Sequence, residues 1–275
     1  MEPGIMLYIG CKVDVYEQIR ALKEVGVRRT FINAKCPEID KVLSAIKEAG
    51  LVCDNLHSEY VGTHDGKSIC MDDISREGPA GDYMMAKIMQ NIDKCAEHNI
   101  PVIVVHPSYD PPHLAKNDIA KERYTAIGNH AREKGVTIAF ENLKYTENLE
   151  FLMSVVPDAK FCWDCGHEYS RLADHKPMPL FKDRLVALHI HDNFIETDDH
   201  IIPFLGKVDF EYVGKELAES GFDGTLMLEI LYGRNEKYSN EPTYKDFALK
   251  AKQAAERVID IVNRYRNSEL VTENA

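Results

Sequence analysis

The sequence offers no membrane span, because no uncharged apolar run approaches the roughly 18 residues needed to cross a bilayer. Basic blocks are missing as well. The 275 residues carry 33 Lys plus Arg against 45 Asp plus Glu, a formal net charge of −12, with no Lys- or Arg-rich stretch of the kind that grips a phosphate backbone. Low-complexity segments and interdomain linkers are absent. Cysteines are too few and too scattered for a disulfide scaffold: there are seven, at 11, 36, 53, 70, 95, 162 and 165. They read as reduced thiols of a cytosolic protein. Cys162 and Cys165 form a Cys-x-x-Cys, but they flank Trp163-Asp164 at the end of an apolar run and are taken as packing residues. The opening Met1-Glu2-Pro3-Gly4 has neither the basic nor the apolar region of a secretory leader, so a cytoplasmic location is expected. No Gly-x-Gly-x-x-Gly follows the first strand, which removes the usual dinucleotide fingerprint.

What is present is a repeated pairing of a short apolar run with an amphipathic helix. Hydrophobic residues are 44% and charged residues 28%, ordinary for a globular protein and outside the disordered range. The patterning predicts strands at 6–10, 29–33, 51–57, 102–106, 137–141, 160–164, 185–191 and 225–230. Helices are predicted at 15–25, 38–49, 83–98, 118–134, 148–155, 167–173, 210–220 and 246–265. Residues 58–77 read as a loop, and a polar tail follows from about 267. The strands are near-continuous apolar runs, as parallel strands covered on both faces are. Gly50, Gly135 and Gly221 stop helices. Eight β/α units predict one α/β domain over 1–275, a (β/α)₈ TIM barrel with its active site at the C-terminal mouth. A doubly wound open sheet is the rival, but it gives no reason to stop at eight.

The strand ends carry the chemistry. His57 ends the third strand, His106 the fourth, Glu141 the fifth and Asp164 the sixth. His189 and His191 lie at the end of the seventh, and Glu229 ends the eighth. Each alone reads most often as a helix cap or a solvated rim residue. Together they draw only on His and carboxylates, and such carboxylates repel one another unless protonated or bridged by a cation. Mixed His and carboxylate ligands suit Zn²⁺, Mn²⁺ or a related ion. Asp164 and His167 have the spacing of a strand end and the turn after it, so both can face inward. Asp198 and His200 read equally well as site residues or as an exposed loop. His64, His98, His113, His130 and His175 are taken as surface residues.

With His106-Pro107, Glu141-Asn142, Asp164-Cys165-Gly166-His167, His189-Ile190-His191-Asp192 and Leu228-Glu229 in this order, the chain resembles the xylose-isomerase-like TIM-barrel superfamily. That superfamily contains sugar isomerases and epimerases and is related to endonuclease IV. In the ketose branch the resemblance implies one divalent metal (Mn, Zn, Co or Mg) on Glu141, Asp164, His189 and Glu229. It implies Glu141 and Glu229 as the catalytic acid/base pair, isomerising or epimerising a small ketose or sugar phosphate through a metal-stabilised enediolate. His167 is then a substrate-oxygen ligand. The alternative is an endonuclease IV-like multi-zinc phosphodiesterase, for which His57, His106, His167, Asp198 and His200 match further zinc ligands. Three features depart from that branch: Asn142-Leu143-Lys144-Tyr145 where it carries a small, Gly-rich stretch, the short segment 34–37, and the acidity. From the ketose branch the chain departs at Ile195 and Glu196, where some epimerases place an Arg. The partners expected are a small carbohydrate, no nucleic acid and no membrane. Self-association into a homo-oligomer is compatible with this reading.

Overall fold

Strand and helix alternate along the chain as the apolar periodicity predicts. The computed structural model describes residues 1–109, 114–170, 176–234 and 241–273. Its first half runs β1 (Glu2–Ile5), α1 (Val15–Val25), β2 (Arg29–Asn33), α2 (Ile39–Glu48), β3 (Val52–His57), β4 (Val61–His64), β5 (Lys67–Cys70), a 3₁₀ turn (Met71–Ser75), α3 (Pro79–His98), β6 (Val102–Val105) and α4 (Asp118–Lys134). The second half continues with β7 (Thr137–Glu141), α5 (Thr146–Val155), β8 (Lys160–Asp164), α6 (Cys165–Ser170), α7 (Pro177–Phe181), β9 (Leu185–His189), α8 (Phe210–Ser220), β10 (Thr225–Leu228) and α9 (Tyr244–Glu273). Eight strands form one sheet in the order β10–β1–β2–β3–β6–β7–β8–β9, and every pairing in it is parallel. A bridge between Ile190 and Leu228 joins the two outer strands. There the Ile190 N–H donates to the Met227 carbonyl at 2.9 Å and the Glu229 N–H to the Ile190 carbonyl at 3.1 Å. The result is a (β/α)₈ barrel.

Side-chain parity decides what the barrel holds. Alternate residues of a strand face opposite sides. Val102, Val104, Ala139, Cys162 and Ala187 form a small apolar cluster of their own. Their neighbours Ile103, Val105, Ile138, Phe140, Phe161 and Trp163 join the large core shared with the helices. The first set has the parity of the barrel interior, and His106, Glu141, Asp164 and His189 continue it. Cys162 is therefore a packing residue, and all seven cysteines are free.

The structure departs from the sequence expectation in several places, among them helix α7 (Pro177–Phe181), which was not expected, and α6, which spans Cys165–Ser170 and not 167–173. The first strand is Glu2–Ile5, not 6–10. Gly4 permits this, because a Cβ there would overlap the side chains of Thr225 and Met227 on β10. Within 58–77, β4 and β5 form an antiparallel hairpin. Its two-residue turn, Asp65-Gly66, has φ of 48° and 73°, the left-handed geometry such turns demand. Helix α3 begins at Pro79, and α9 runs to Glu273 through the expected tail.

The 3₁₀ turn after the hairpin buries Asp72, which is 2% exposed. Its Oδ2 accepts the Tyr109 N–H at 3.1 Å, while Oδ1 has no partner. Burial pushes the carboxyl up to about 6, against the opposing pull of the Tyr109 N–H and the Cys70 thiol. The folded chain thus holds this proton more tightly than the unfolded one, whose carboxyl titrates near about 3.9. Asp72 consequently costs stability as pH rises from about 4 to about 6, and the cost persists above that window. Asp72→Asn keeps an acceptor for Tyr109 and cannot ionise. Urea unfolding is expected to show the variant gaining about 1–2 kcal/mol on the parent between pH 4.5 and 7. Parallel pH profiles for the two proteins would refute this.

Candidate active site

At the C-terminal mouth the strand ends surround a pocket of about 520 Å³, within the usual range for small-molecule sites. Local hydrogen bonds fix its walls. The Asn142 side chain clamps the end of β8, accepting the Asp164 N–H at 2.8 Å and donating to its carbonyl at 2.7 Å. Helix α6 starts at the next residue, and the His167 N–H returns to Asp164 Oδ1 at 2.7 Å. Asp192 organises the loop after β9 by accepting the N–H groups of Asn193, Gly206 and Val208 at 2.7–2.9 Å. An antiparallel bridge from Asp192 to Ile201 folds this loop back over the mouth. Asp198 and His200 therefore belong to the site. His200 takes a left-handed backbone (φ 49°), and its carbonyl accepts the Leu231 N–H at 3.0 Å.

Several overlapping groups of donor atoms result, and three of them span the site. The ligand atoms of Glu141, Asp164, His189 and Glu229 all lie within 4.8 Å of one another. So do those of His167, His191, Asp198 and His200, and those of His57, His106 and Glu141. Glu141 belongs to two of these three. Its Oε2 is 3.2 Å from Nε2 of both His57 and His106, and its Oε1 is 3.3 Å from Nδ1 of both His167 and His189. His189 Nδ1 is also 3.4 Å from Glu229 Oε2. Asp198 Oδ2 lies 3.1 Å from His200 Nε2 and 3.5 Å from His167 Nε2.

These residues fit a divalent cation. Nδ1 of His57, His167 and His200 faces the carbonyl of Ser58, Asn142 and Glu229 respectively, at 2.9–3.0 Å. With an ion bound, those carbonyls hold the proton on Nδ1 and leave the Nε2 lone pair facing the site, an orientation typical of metal-ligating histidine. Both ring nitrogens of His189, Nε2 of His191, Oδ2 of Asp164 and Oε2 of Glu229 are buried without a hydrogen-bond partner. His191 Nε2 is 3.1 Å from Asp164 Oδ1 yet not aligned to bond it. Lone pairs that crowd one space without pairing are satisfied by a shared ion.

Without a cation the carboxylates draw on histidine charge. Burial pushes the Glu141 carboxyl up, but His189 and His106 outweigh it and hold the group well below the usual range. Burial also opposes the fall at Asp164, where His167 and His191 hold the carboxyl down at about 2. His200 is pulled down by burial and raised more strongly by Asp198, to about 9. Cys162 sits beside Glu141 and His189, but burial pushes its thiol up to about 12, so it is neutral near pH 7.

All nine residues expected in the mouth converge there. His191, placed with His189 at the seventh strand end, was given no ligand role, although the two-residue spacing puts both on the same strand face. Tyr60 was missed too, and its ring stacks on His106 at 4.4 Å. His98 and His130 lie away from the site, paired with Asp40 and Asp93 at 2.9 and 3.0 Å. His64 sits in the hairpin, and His113 and His175 fall outside the described residues.

Gly166 presses against His191: a Cβ at this position would overlap the imidazole. Gly166→Ala is expected to displace the His191 ring and destabilise the protein by about 1–3 kcal/mol, as overpacking does. Denaturant unfolding together with His191 ring NMR shifts checks this. An unmoved His191 resonance would show that the ring tolerates the methyl group.

A parallel eight-stranded barrel with its polar donors gathered at the C-terminal mouth defines a TIM barrel of the kind that houses enzymes. The chain belongs to the xylose isomerase-like TIM barrel family, whose sequence model matches residues 18–256. Inosose dehydratase of Lacticaseibacillus casei is 24% identical over 181 residues, which cover 55% of this chain and 58% of that protein. The chain spans less than two thirds of the length of the curated relatives it matches, from 22% to 62%. Its fold is that of D-psicose 3-epimerase from Clostridium cellulolyticum H10, solved with D-tagatose (TM-score 0.73, 16% identity, 95% of this chain and 99% of that one). An L-ribulose 3-epimerase superposes with a TM-score of 0.73 at 15% identity, covering 98% of both chains. Among the described residues, no helix is long and apolar enough to cross a membrane.

Proposed function

We propose that this protein is a divalent-metal-dependent isomerase or epimerase of a small ketose or sugar phosphate. The observation that carries the reading is the pair Glu141 and Glu229, joined through His189 within a single donor group that also holds Asp164. Its likeness in fold to sugar epimerases supports the same reading. A divalent ion held by these four residues supplies Lewis-acid stabilisation of the negative charge that builds on substrate oxygens when a carbon-bound proton leaves. The protein does the rest. Glu229, the more accessible of the two, takes the proton from the carbon beside the carbonyl. Glu141, ionised at rest, takes a proton from the histidines at its Oε2 and delivers it from the other side, which inverts the centre, or to the neighbouring carbon, which moves the carbonyl. His167 and Tyr60 orient the substrate, and the loop carrying Asp198 and His200 limits water. The test is deuterium incorporation from heavy water by metal-loaded protein across ketoses and their phosphates. Incorporation next to the carbonyl is expected, and none across the panel would refute the reading.

A second reading, hydrolysis of a phosphodiester by several zinc ions, draws on one observation. Both oxygens of Glu141 face two histidines each, and a second four-residue donor group lies alongside. Clustered metals can clamp the attacking and leaving oxygens of such a reaction. Against it stands the scarcity of positive charge for a duplex, since phosphate contacts supply most of that affinity. Zinc-loaded protein is expected to leave an abasic-site duplex intact at low salt. Efficient incision would reverse the ranking.

A further inference from the structure

We infer that the substrate of this site carries a phosphate monoester, held at the rim of the mouth by Lys35 and Arg234. The inference rests on the ketose reading and names the substrate class within it.

Six of the eight barrel strands end in a His or a carboxylate that faces the mouth. β1 and β2 do not: the chain beyond them lines the pocket with Tyr8, Ile9, Asn33 and Lys35. Arg234 comes from the turn after β10, and β10 neighbours β1 on the side opposite β2. The two cations therefore flank the loop after β1 and occupy one sector of the mouth. In the sheet order that sector stands across the barrel from β7, which carries Glu141. They are the only Lys or Arg among the described residues lining the pocket.

Both are exposed, and among the described residues neither enters an ion pair, although the chain has 45 acidic residues. Some exposed cations take carboxylate partners, as Arg264 does with Glu211 and Arg132 with Asp158, while others such as Lys47 and Lys160 have none among the described residues; what sets Lys35 and Arg234 apart is that they line the pocket. The Lys35 backbone is held by the Asn33 side chain, which accepts its N–H at 2.9 Å. Its Nζ stands 6.0 Å from the centre of the Tyr60 ring, and the same ring stacks on His106 at 4.4 Å. Tyr60 is thus a platform leading from the donor groups to the cationic rim.

Charge matching selects the anion. A phosphate monoester carries about −1.5 to −2 near neutral pH, which two cations balance, whereas a carboxylate needs only one. The planar Arg fork pairs two phosphate oxygens while Lys adds a point charge. In a chain of net charge −12, with three carboxylates lining the pocket, an anionic tail is repelled except at this sector.

The experiment compares D-sorbitol 6-phosphate with D-sorbitol by calorimetry on metal-loaded protein. Neither has a carbonyl, so binding is read apart from turnover. The phosphate is expected to bind about 30-fold tighter or more, consistent with two charge-assisted contacts. The double variant K35Q/R234Q is expected to cut that ratio to about threefold or less with sorbitol affinity unchanged, and K35R to retain it. D-Gluconate, a monoanion, gains much less than the phosphate. A ratio near one in the parent overturns the inference. So does an undiminished ratio in the double variant, which would put the phosphate on the donor groups, and so does an equal gain for gluconate. If the ratio and its loss hold while no ketose exchanges deuterium, the anion clamp stands and the isomerase reading falls.

Discussion

Glu229→Gln keeps its metal and exchanges the substrate proton about 10²–10⁴-fold more slowly, the usual contribution of a positioned general base. The variant preserves size and one ligand oxygen but removes the basic site. Glu229 is the better candidate for the first proton because its side chain is 13% exposed against 1% for Glu141. Its Oε2 also has no hydrogen-bond partner. Glu141→Gln behaves differently. Both Glu141 oxygens face two histidines, so the variant loses metal as well as exchange. Deuterium incorporation and metal analysis on the same samples separate the two effects. Normal exchange in Glu229→Gln with metal bound would remove Glu229 from the chemistry.

Stripping divalent metal lowers the melting temperature by roughly 5–10 °C. A ligand at 100 times its dissociation constant stabilises by about 2.7 kcal/mol, and a domain near this size shifts by about 2–4 °C per kcal/mol. The stripped site is left with Glu141, Asp164 and Glu229 packed around His189, with several of their atoms unsatisfied. Calorimetry of chelator-treated and reloaded protein measures the difference. Metal analysis adds the stoichiometry: His106→Ala and His200→Ala each remove a ligand outside the group of Glu141, Asp164, His189 and Glu229, so each spares the ion held there. Melting curves that coincide with and without metal would show that the donor groups hold no ion in the folded protein.

The barrel was legible because its repeat is carried by residue type. Continuous apolar strands, helices stopped by glycine and a His or carboxylate at six of the eight strand ends survive in a one-dimensional reading. Thr137–Glu141, Lys160–Asp164 and Phe210–Ser220 are observed as expected. The first strand was not legible, since Glu2, Pro3 and Gly4 are poor strand formers and Met6–Ile9 look better. What settles the register is space, because only glycine fits against Thr225 and Met227, and such a fit exists only once the barrel closes. The hairpin could have been read from Asp65-Gly66, and His191 from its parity with His189. Asp198 and His200 could not be fixed in advance, because the bridge from Asp192 to Ile201 that turns them inward is a tertiary contact. The helical end of α9 escaped because residues 266–273 are mostly polar, and the adjacent Leu270 and Val271 make no helical apolar period.

Pairing of β1 with β10 has a consequence for synthesis on the ribosome. Glu2, Pro3, Gly4 and Ile5 pair with Thr225, Leu226, Met227 and Leu228. At about 5–20 residues per second, the first strand waits roughly 11–45 s before its partner is made. Throughout that interval one side of β1 is an open sheet edge, the feature through which unfinished chains join one another. The strand is four residues long, Pro3 has no N–H to donate and Glu2 is charged. Each of these features disfavours pairing with a neighbouring nascent chain. The weak strand character that hid β1 in the sequence thus guards the half-built barrel on a crowded polysome until its own last strand arrives.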